Sequence, residues 1–446
     1  MKLREWIRPG LRIKRWLLVG VLGIGLITAG VVLFISIVQH SVAKSLITLV
    51  PIALGGILML VAARRLGRNV LRAINSSTFG LSLDSEKLSS LLYEKRTLVK
   101  GPKVVAIGGG TGLSTMLRGL KAYTSNITAV VTVADDGGGS GVLRQELGML
   151  PPGDIRNCIL ALADTEPIME QLLQYRFKEG NLKGQSFGNL FLAAMDGISS
   201  SFKEAVKKMS NVLAVTGRVL PVTEEDVTLC AKLSDGSVIC GESKIGSHNE
   251  ISKCTIESVH LEPADIKPVS EVLDAISNAD IIVLGPGSLY TSIIPNLMVN
   301  GICSAIRKSK ALKVYVCNVM TQPSETDDYT VSEHIAALEK HSYKGIVDYC
   351  IVNSAAIPPE LSDKYKNDGA ELVEIDRNKL SGSNISLLEG DFATIRNGFV
   401  RHDHNKLAKA IIDLAAENIL AKDTRRLIDY YCIKDKLKKS GKTLKQ

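Results

Sequence analysis

The chain has 446 residues, room for one large α/β domain with appendages. Its formal net charge is +8 with 22% charged residues, but the basic residues flank apolar runs and do not interleave with aromatics, which argues against a nucleic-acid binder. The mean hydropathy of +0.14 is high for a soluble enzyme, and that excess is also local.

Residues 17–38 are an apolar run broken only by small residues, Thr28 and Ser36. Residues 46–63 form a second run, shorter and containing Pro51. Each is long enough to cross a hydrocarbon core of about 30 Å. A cleaved signal peptide is disfavoured, because no small-residue cleavage site follows the first run and a second run comes after it. Gly20, Gly23, Gly25 and Gly30 suit close helix–helix packing in lipid. Lys2, Arg4, Arg8, Arg12, Lys14 and Arg15 precede the first run, and Arg64, Arg65, Arg68 and Arg72 follow the second. The connection between them carries only Lys44. Positive flanks stay inside, so both termini are expected in the cytoplasm, at the cell membrane. The expected division is a basic N-terminus (1–15), a two-span hairpin (16–63), a linker (64–100), an α/β domain (101–422) and a basic tail (423–446). Leu88, Leu91 and Leu92 predict a short helix in the linker. None of the eight cysteines forms a C-x-x-C pair, which fits a reducing cytosol and argues against a zinc ribbon.

The domain opens on a buried strand at 104–107. It breaks at Gly108-Gly109-Gly110-Thr111-Gly112 and resumes as a helix from about Ser114. A strand, a glycine-rich turn and a helix N-terminus together make an anion-binding device. A second strand at 129–134 ends in Asp135-Asp136-Gly137-Gly138-Gly139-Ser140-Gly141. Pro151-Pro152-Gly153-Asp154 then opens a helix at 155–163, with Asp154 as its natural N-cap. Helices follow at 167–177, from Gly188 to about Met195, and at 202–210. Segments 227–233 and 238–244, joined through Asp235-Gly236, predict a hairpin, with 258–261 as a third strand. Strands resume at 281–284, 313–318, 346–352 and 371–375. Thr330 and Glu333 form a capping-box pattern, and an amphipathic helix closes the domain at 405–420. The fold predicted is α/β: a doubly wound, mostly parallel Rossmann-like sheet with a helical and β-hairpin insertion, preceded by two transmembrane helices.

In such sheets ligands bind beyond the carboxyl ends of the strands, at a switch in strand order. Four turns are expected there: 108–112, 135–141, 285–288 and the segment after Asn318 with Thr321, Gln322 and Thr326. Two glycine-rich loops suit a ligand with two phosphates. Gly285, Gly287 and Ser288 belong to the third turn, and Tyr290, Thr291 and Ser292 add hydroxyls to it, with helix capping as the ordinary alternative. Asp135 and Asp136 have two readings, as ligands of a divalent cation such as magnesium or as acceptors from a ribose or base. Arg156 and Asn157 sit where they reach a phosphate, with an internal salt bridge as the alternative for Arg156. Asn189 either reads a base or sugar edge or caps its helix. His402 and His404 flank Asp403 without a second ligand group, and solvated loop residues are the simpler reading. A nicotinamide fold ranks low, because Gly108-x-Gly110-x-x-Leu113 lacks the third glycine. No Ser-His-Asp order, H-E-x-x-H or Walker loop is present, so an enzyme here would work by positioning phosphates and metal.

AIGGGTGLSTMLRGLK, VTVADDGGGSG, PPGDIRN, GNLFLA, GPGSLYTSIIPNL, CNVMTQPSETDDYT and VRHD together resemble the gluconeogenesis-factor family of bacterial UDP-N-acetylglucosamine-binding proteins, in the superfamily of 2-phospho-L-lactate transferase. The resemblance covers roughly 102–421. Ser324 stands where the family has glycine, and Gly139 where it has serine. The resemblance implies that Tyr365 and Arg401 touch the nucleotide sugar and that the Asp135 region lies at the nucleotide and metal site. It implies a membrane-tethered regulator that binds UDP-N-acetylglucosamine and links its supply to cell-wall enzymes and cell shape. The alternative is a phosphoryl or nucleotidyl transferase. Partners expected are the sugar nucleotide, the membrane, cell-wall synthesis enzymes and a second copy, with no nucleic acid and no certain cofactor.

Overall fold

A computed structural model describes residues 13–38, 49–74, 98–99, 101–247 and 254–422. The chain divides into two compact units, Met1–Val99 and Lys100–Gln446.

In the first unit, helices Ile13–Val38 and Leu49–Ile74 pack against each other. Their crossing is closest at Gly23 and Gly55, where a β-carbon on Gly55 would lie 2.6 Å from the Gly23 carbonyl oxygen. Arg65 lies over the ring of Trp16, 5.6 Å from its centroid, which puts the end of one helix beside the start of the other. Leu18–Ser36 is the one single helix among the described residues long and apolar enough to span a membrane. The second helix does not qualify by that measure. It continues past Ala63 through Arg64, Arg65, Arg68 and Arg72, and these charges shorten its apolar part. The connection between the helices, the basic N-terminus, the predicted linker helix at Leu88–Leu92 and the tail from 423 lie outside the described residues.

The second unit is built on a seven-stranded sheet of β1 (Val104–Gly108), β2 (Ile127–Val131), β3 (Arg218–Pro221), β7 (Ile281–Leu284), β8 (Leu312–Val316), β9 (Tyr349–Asn353) and β10 (Ser386–Gly390). The order is β10-β9-β8-β7-β1-β2-β3, and every pair is parallel. Val104–Gly108 and Ile281–Leu284 are buried along their whole length, as strands covered on both faces must be. The chain builds outward from β1 to β3, returns to lay β7 beside β1, and then builds the other way. The switch in strand order therefore falls between β1 and β7.

The insertion is also present. In the chain, helices occupy the stretch between β2 and its parallel neighbour β3. Between β3 and β7, β4 (Thr228–Leu233), β5 (Val238–Cys240) and β6 (Ile256–Glu262) form an antiparallel sheet in the order β5-β4-β6. A small ribbon, β11 (Ala393–Arg396) with β12 (Phe399–His402), precedes the closing helix His404–Lys422. Thr330 and Glu333 form the expected capping box before Val331–Lys340.

Several expectations are corrected. The helix at Asp154 spans Gly153–Leu162 with Pro152 at the cap position, so Asp154 lies in the first turn. The second strand of the hairpin stops at Cys240, because Glu242–Ile245 turns into a short helix. Segment 371–375 is not a sheet strand. Its backbone bonds the loop at 319–321 instead, with Thr321 N–H donating to the Glu371 carbonyl and Val373 N–H to that of Val319. The cysteines are not all unpaired: Cys230 and Cys240 lie opposite each other across β4 and β5 and form a disulfide. His402 is no solvated loop residue. It is buried in β12 with its ring 3.2 Å from the Cys317 carbonyl oxygen, and burial pushes its pKa down to about 4. His404 is half-buried at the start of the closing helix.

Because the second unit has its own core and sheet, residues from Gly101 onward are expected to fold without the first hundred. Sharp near-ultraviolet circular dichroism bands from that fragment are the expected result; a featureless spectrum would refute the boundary.

Candidate functional site

The turn after β1 is shaped by two local demands. Gly110 has φ +66°, a left-handed backbone that a side-chain-bearing residue rarely adopts. Gly112 lies so close to the next turn that a β-carbon there would sit 2.7 Å from the Pro286 carbonyl oxygen. The helix Gly110–Leu120 starts at once, with its first N–H groups at the end of β1. The turn after β7 follows a cis Gly285–Pro286 bond. Ser288 Oγ donates to Gln322 Oε1 at 2.7 Å and so ties the third turn to the fourth.

A cavity of about 350 Å³ opens where these turns meet, at the switch between β1 and β7. Gly110, Thr111 and Gly112 line it from the first turn, Gly287, Ser288 and Ser292 from the third, and Thr321 and Gln322 from the fourth. Tyr365, from helix Pro359–Asn367, and Arg401, from β12, close the far side. The Tyr365 hydroxyl accepts a hydrogen bond from Val400 N–H at 2.9 Å, which fixes the helix against the ribbon beside Arg401. The Arg401 guanidinium is 5.3 Å from the Phe399 ring and has no carboxylate partner among the described residues.

The other predicted residues lie elsewhere. Gly108, Gly109 and Gly285 form the backbone beneath the turns and do not line the cavity. Tyr290 and Thr291 point into the protein: Tyr290 shares a hydrogen bond with Tyr329 at 2.8 Å, and Thr291 donates to Glu325 at 3.1 Å. The second turn does not reach the cavity. Asp135 accepts from Gly137 N–H at 2.9 Å, and Asp136 from Ser243 N–H at 2.8 Å. Gly137 and Gly138 begin the helix Gly138–Leu147.

Asp135 and Asp136, the expected cation ligands, belong to a second, acidic centre whose other members, Asp154 and Glu242, carry no such signal in the sequence. Asp154 Oδ2 accepts from Gly110 N–H at 2.6 Å, and so links the acidic centre to the first glycine turn. Burial, reinforced by the nearby Asp135 carboxylate, raises its pKa from 3.8 to about 6. Glu242 is pushed well above the ordinary range, first by burial and then by the Asp135, Asp154, Glu325 and Asp136 charges. Its Oε2 is buried with no hydrogen-bond partner among the described residues. Arg156 is buried beside Gly188, and burial lowers its pKa. Arg156 Nε and Asn189 Oδ1 also lack partners among the described residues, while Asn157 is half-buried on the same helix as Arg156. Asn189 does not cap its helix; Ser186 does, accepting from Asn189 N–H at 3.3 Å.

Crowded, half-buried carboxyls suit a hard divalent cation with oxygen ligands. No three of these carboxylates bring oxygens within 4.8 Å of one another. The group therefore fits magnesium held by one or two carboxylates, with phosphate and water completing the shell, and does not fit an all-protein calcium cage. Nothing local in the sequence marks Glu242, and the role of Asp154 depends on a contact 44 residues away.

The family model for 2-phospho-L-lactate transferase CofD matches residues 104–393. A putative gluconeogenesis factor of Clostridium acetobutylicum is 51% identical over 447 residues, 100% of this chain and 99% of its own. The gluconeogenesis factor of Bacillus subtilis is 48% identical over 317 residues, 71% of this chain and 99% of its own. A crystal structure of a UPF0052 family protein from Bacillus halodurans superposes with a TM-score of 0.67 at 48% identity, covering 69% of this chain and 98% of that one.

Proposed function

We propose a function from one premise: the chain belongs to the gluconeogenesis-factor family, whose body is a CofD-type domain. The protein is a membrane-tethered regulator that binds UDP-N-acetylglucosamine and relays its supply to enzymes of cell-wall synthesis, and so to cell shape during gluconeogenic growth. One observation carries this reading: two glycine turns, Tyr365 and Arg401 converge on one cavity at the strand switch. In it the diphosphate lies at the N-terminus of Gly110–Leu120, where backbone N–H groups and the helix dipole favour negative charge. Arg401 pairs with a phosphate, and Tyr365 lies against the sugar or base. Isothermal titration with UDP-N-acetylglucosamine, UDP-glucose, GTP and NADH, with and without magnesium, tests the reading. Binding of the UDP-sugars in preference to the other two is expected; preferential binding of NADH would overturn it.

Arg401→Ala is expected to weaken UDP-N-acetylglucosamine binding by about tenfold to hundredfold, the loss of one charge-assisted hydrogen bond. The thermal midpoint should hold, because the guanidinium makes no ion pair among the described residues. Wild-type affinity in this variant would remove Arg401 from the site.

The second reading, a phosphoryl or nucleotidyl transferase, is favoured by the acidic centre joined to the first turn through Asp154. When bound there, magnesium would neutralise phosphate charge. Phosphorus NMR of the same mixtures distinguishes the two readings, since a regulator leaves the nucleotide sugar intact.

Both N-terminal helices span the membrane in this proposal, with both ends in the cytoplasm. The close Gly23–Gly55 crossing and the arginines that end the second helix support it. In a background without native cysteines, a cysteine at position 41 should label from outside intact cells and one at position 85 should not. Labelling at 85 alone would reverse the orientation.

A further inference from the structure

The antiparallel sheet β5-β4-β6 has two unlike faces. Leu229, Ala231, Leu233, Val259 and Leu261 belong to the hydrophobic core. The opposite face carries Cys230, Cys240, His260 and Glu262. Cross-strand register puts them together: Cys230 pairs with Cys240 on one side and with His260 on the other. Glu262 follows two residues after His260 and so lies on the same face. The Cys230 sulfur, a His260 ring nitrogen and a Glu262 oxygen all lie within 4.8 Å of one another, and His260 Nε2 is 3.6 Å from Glu262 Oε1. Two donors of one tetrahedral ion sit about that far apart, given metal–ligand bonds of about 2.0–2.3 Å. Cys230 is buried, and His260 and Glu262 are exposed, so an ion enters past these two side chains.

We propose that this face is a redox-gated site for a thiophilic divalent cation of the zinc class, with Cys230, Cys240, His260 and Glu262 as its four ligands. Two thiolates, an imidazole and a carboxylate select zinc over magnesium or calcium, which take oxygen. In the disulfide form the two sulfurs are bonded to each other and the site is closed. A cellular dithiol opens it. The dithiol gives two electrons and two protons, becomes a disulfide itself, and leaves Cys230 and Cys240 as thiols. Each thiol releases its proton to water as the metal–sulfur bond forms. A cellular disulfide reverses these steps: it takes two electrons from the two thiolates and two protons from water, becomes a dithiol, and the Cys230–Cys240 bond re-forms as the ion leaves. The proposal does not depend on the nucleotide-sugar reading. Cys240 leads into Gly241–Ser243, and Ser243 N–H holds Asp136 beside the acidic centre.

The test uses the full-length protein in detergent, reduced with a phosphine and titrated with Co²⁺ as a spectroscopic stand-in for zinc. One equivalent should give a thiolate-to-cobalt charge-transfer band with tetrahedral d–d bands, bleached by Zn²⁺. The oxidised protein should give neither. Cys240→Ser should weaken the charge-transfer band. His260→Ala and Glu262→Gln change exposed residues and leave the core intact, and each should lose at least about tenfold in affinity, the scale seen even for outer-shell partners of a metal. If the reduced wild type gives no charge-transfer band, the site does not exist. If both His260→Ala and Glu262→Gln titrate as wild type, the four-ligand assignment is overturned.

Discussion

Gly110→Val is expected to reduce UDP-N-acetylglucosamine binding by more than about a hundredfold while the domain stays folded. Two effects act at this position. The backbone there has φ +66°, and a β-branched residue held in that region costs of the order of 1–3 kcal/mol. That strain lowers the thermal midpoint by a few degrees. The second effect is steric. The nearest protein atom to a β-carbon at Gly110 is Ser292 Oγ at 3.7 Å, so the new side chain meets little protein and points into the cavity. There it occupies the space assigned to the phosphates and covers the N–H groups that follow Gly110, whose own N–H is held by Asp154. Gly110→Ala separates the two effects, because it carries the strain with much less bulk. Affinity should therefore fall from glycine to alanine to valine, while the thermal midpoint falls mainly at the first step. Calorimetric titration beside a ligand-free melt gives both quantities. A folded Gly110→Val that binds as wild type does would end the phosphate-cradle reading.

How much of this was legible in the chain depends on how far apart the interacting residues are. The strand at Val104–Gly108, its glycine turn, the Asp235-Gly236 hairpin and the Thr330–Glu333 capping box all announce themselves within a few residues, through periodicity or turn chemistry. Strand β3 does not: Arg218–Pro221 is four residues long and ends in proline, and only its pairing with β2 makes it a strand. The short strands β10, β11 and β12 are likewise made by their neighbours. Segment 371–375 shows the converse, since it has a strand's alternation but finds its hydrogen-bond partners in a loop. The same holds at the site. Tyr365 and Arg401 were legible through family resemblance alone, because a tyrosine on an exposed helix and an arginine in a two-strand ribbon carry no local signature. Tyr290 and Thr291 sit among the right residues, but their side chains turn inward toward Tyr329 and Glu325. Asp154 looks like a helix cap in sequence, and it becomes the joint between two turns only when the sheet brings Gly110 to it.

That joint leads to a pH effect on the stability of the domain. Asp154 has a folded-state pKa of about 6 against 3.8 when exposed, a difference of about 3 kcal/mol between its two protonation states. Below pH 4 the group is protonated in both the folded and unfolded chains and costs nothing. Above pH 6 it is ionised in both, and the buried charge carries its full penalty. Stability should therefore decline as pH rises from about 4 to 6, and Glu242, shifted in the same direction, should extend the decline upward. Asp154→Asn removes this charge and keeps an oxygen to accept from Gly110 N–H. The buried Arg156, which the Asp154 charge partly offsets, takes back some of the gain. Denaturant melts at pH 4 and pH 7 should show the variant level with wild type at the lower pH and more stable by up to about 3 kcal/mol at the higher. Magnesium supplies an independent arm. If the acidic centre holds the ion, millimolar magnesium should stabilise wild type at pH 7 by mass action and flatten its pH slope, because the ion displaces the protons. Asp154→Asn should respond less. Equal responses in both proteins would place any magnesium site away from Asp154, and a variant-minus-wild-type difference that does not grow between pH 4 and 6 would show that this carboxylate is better satisfied than its burial beside Asp135 implies.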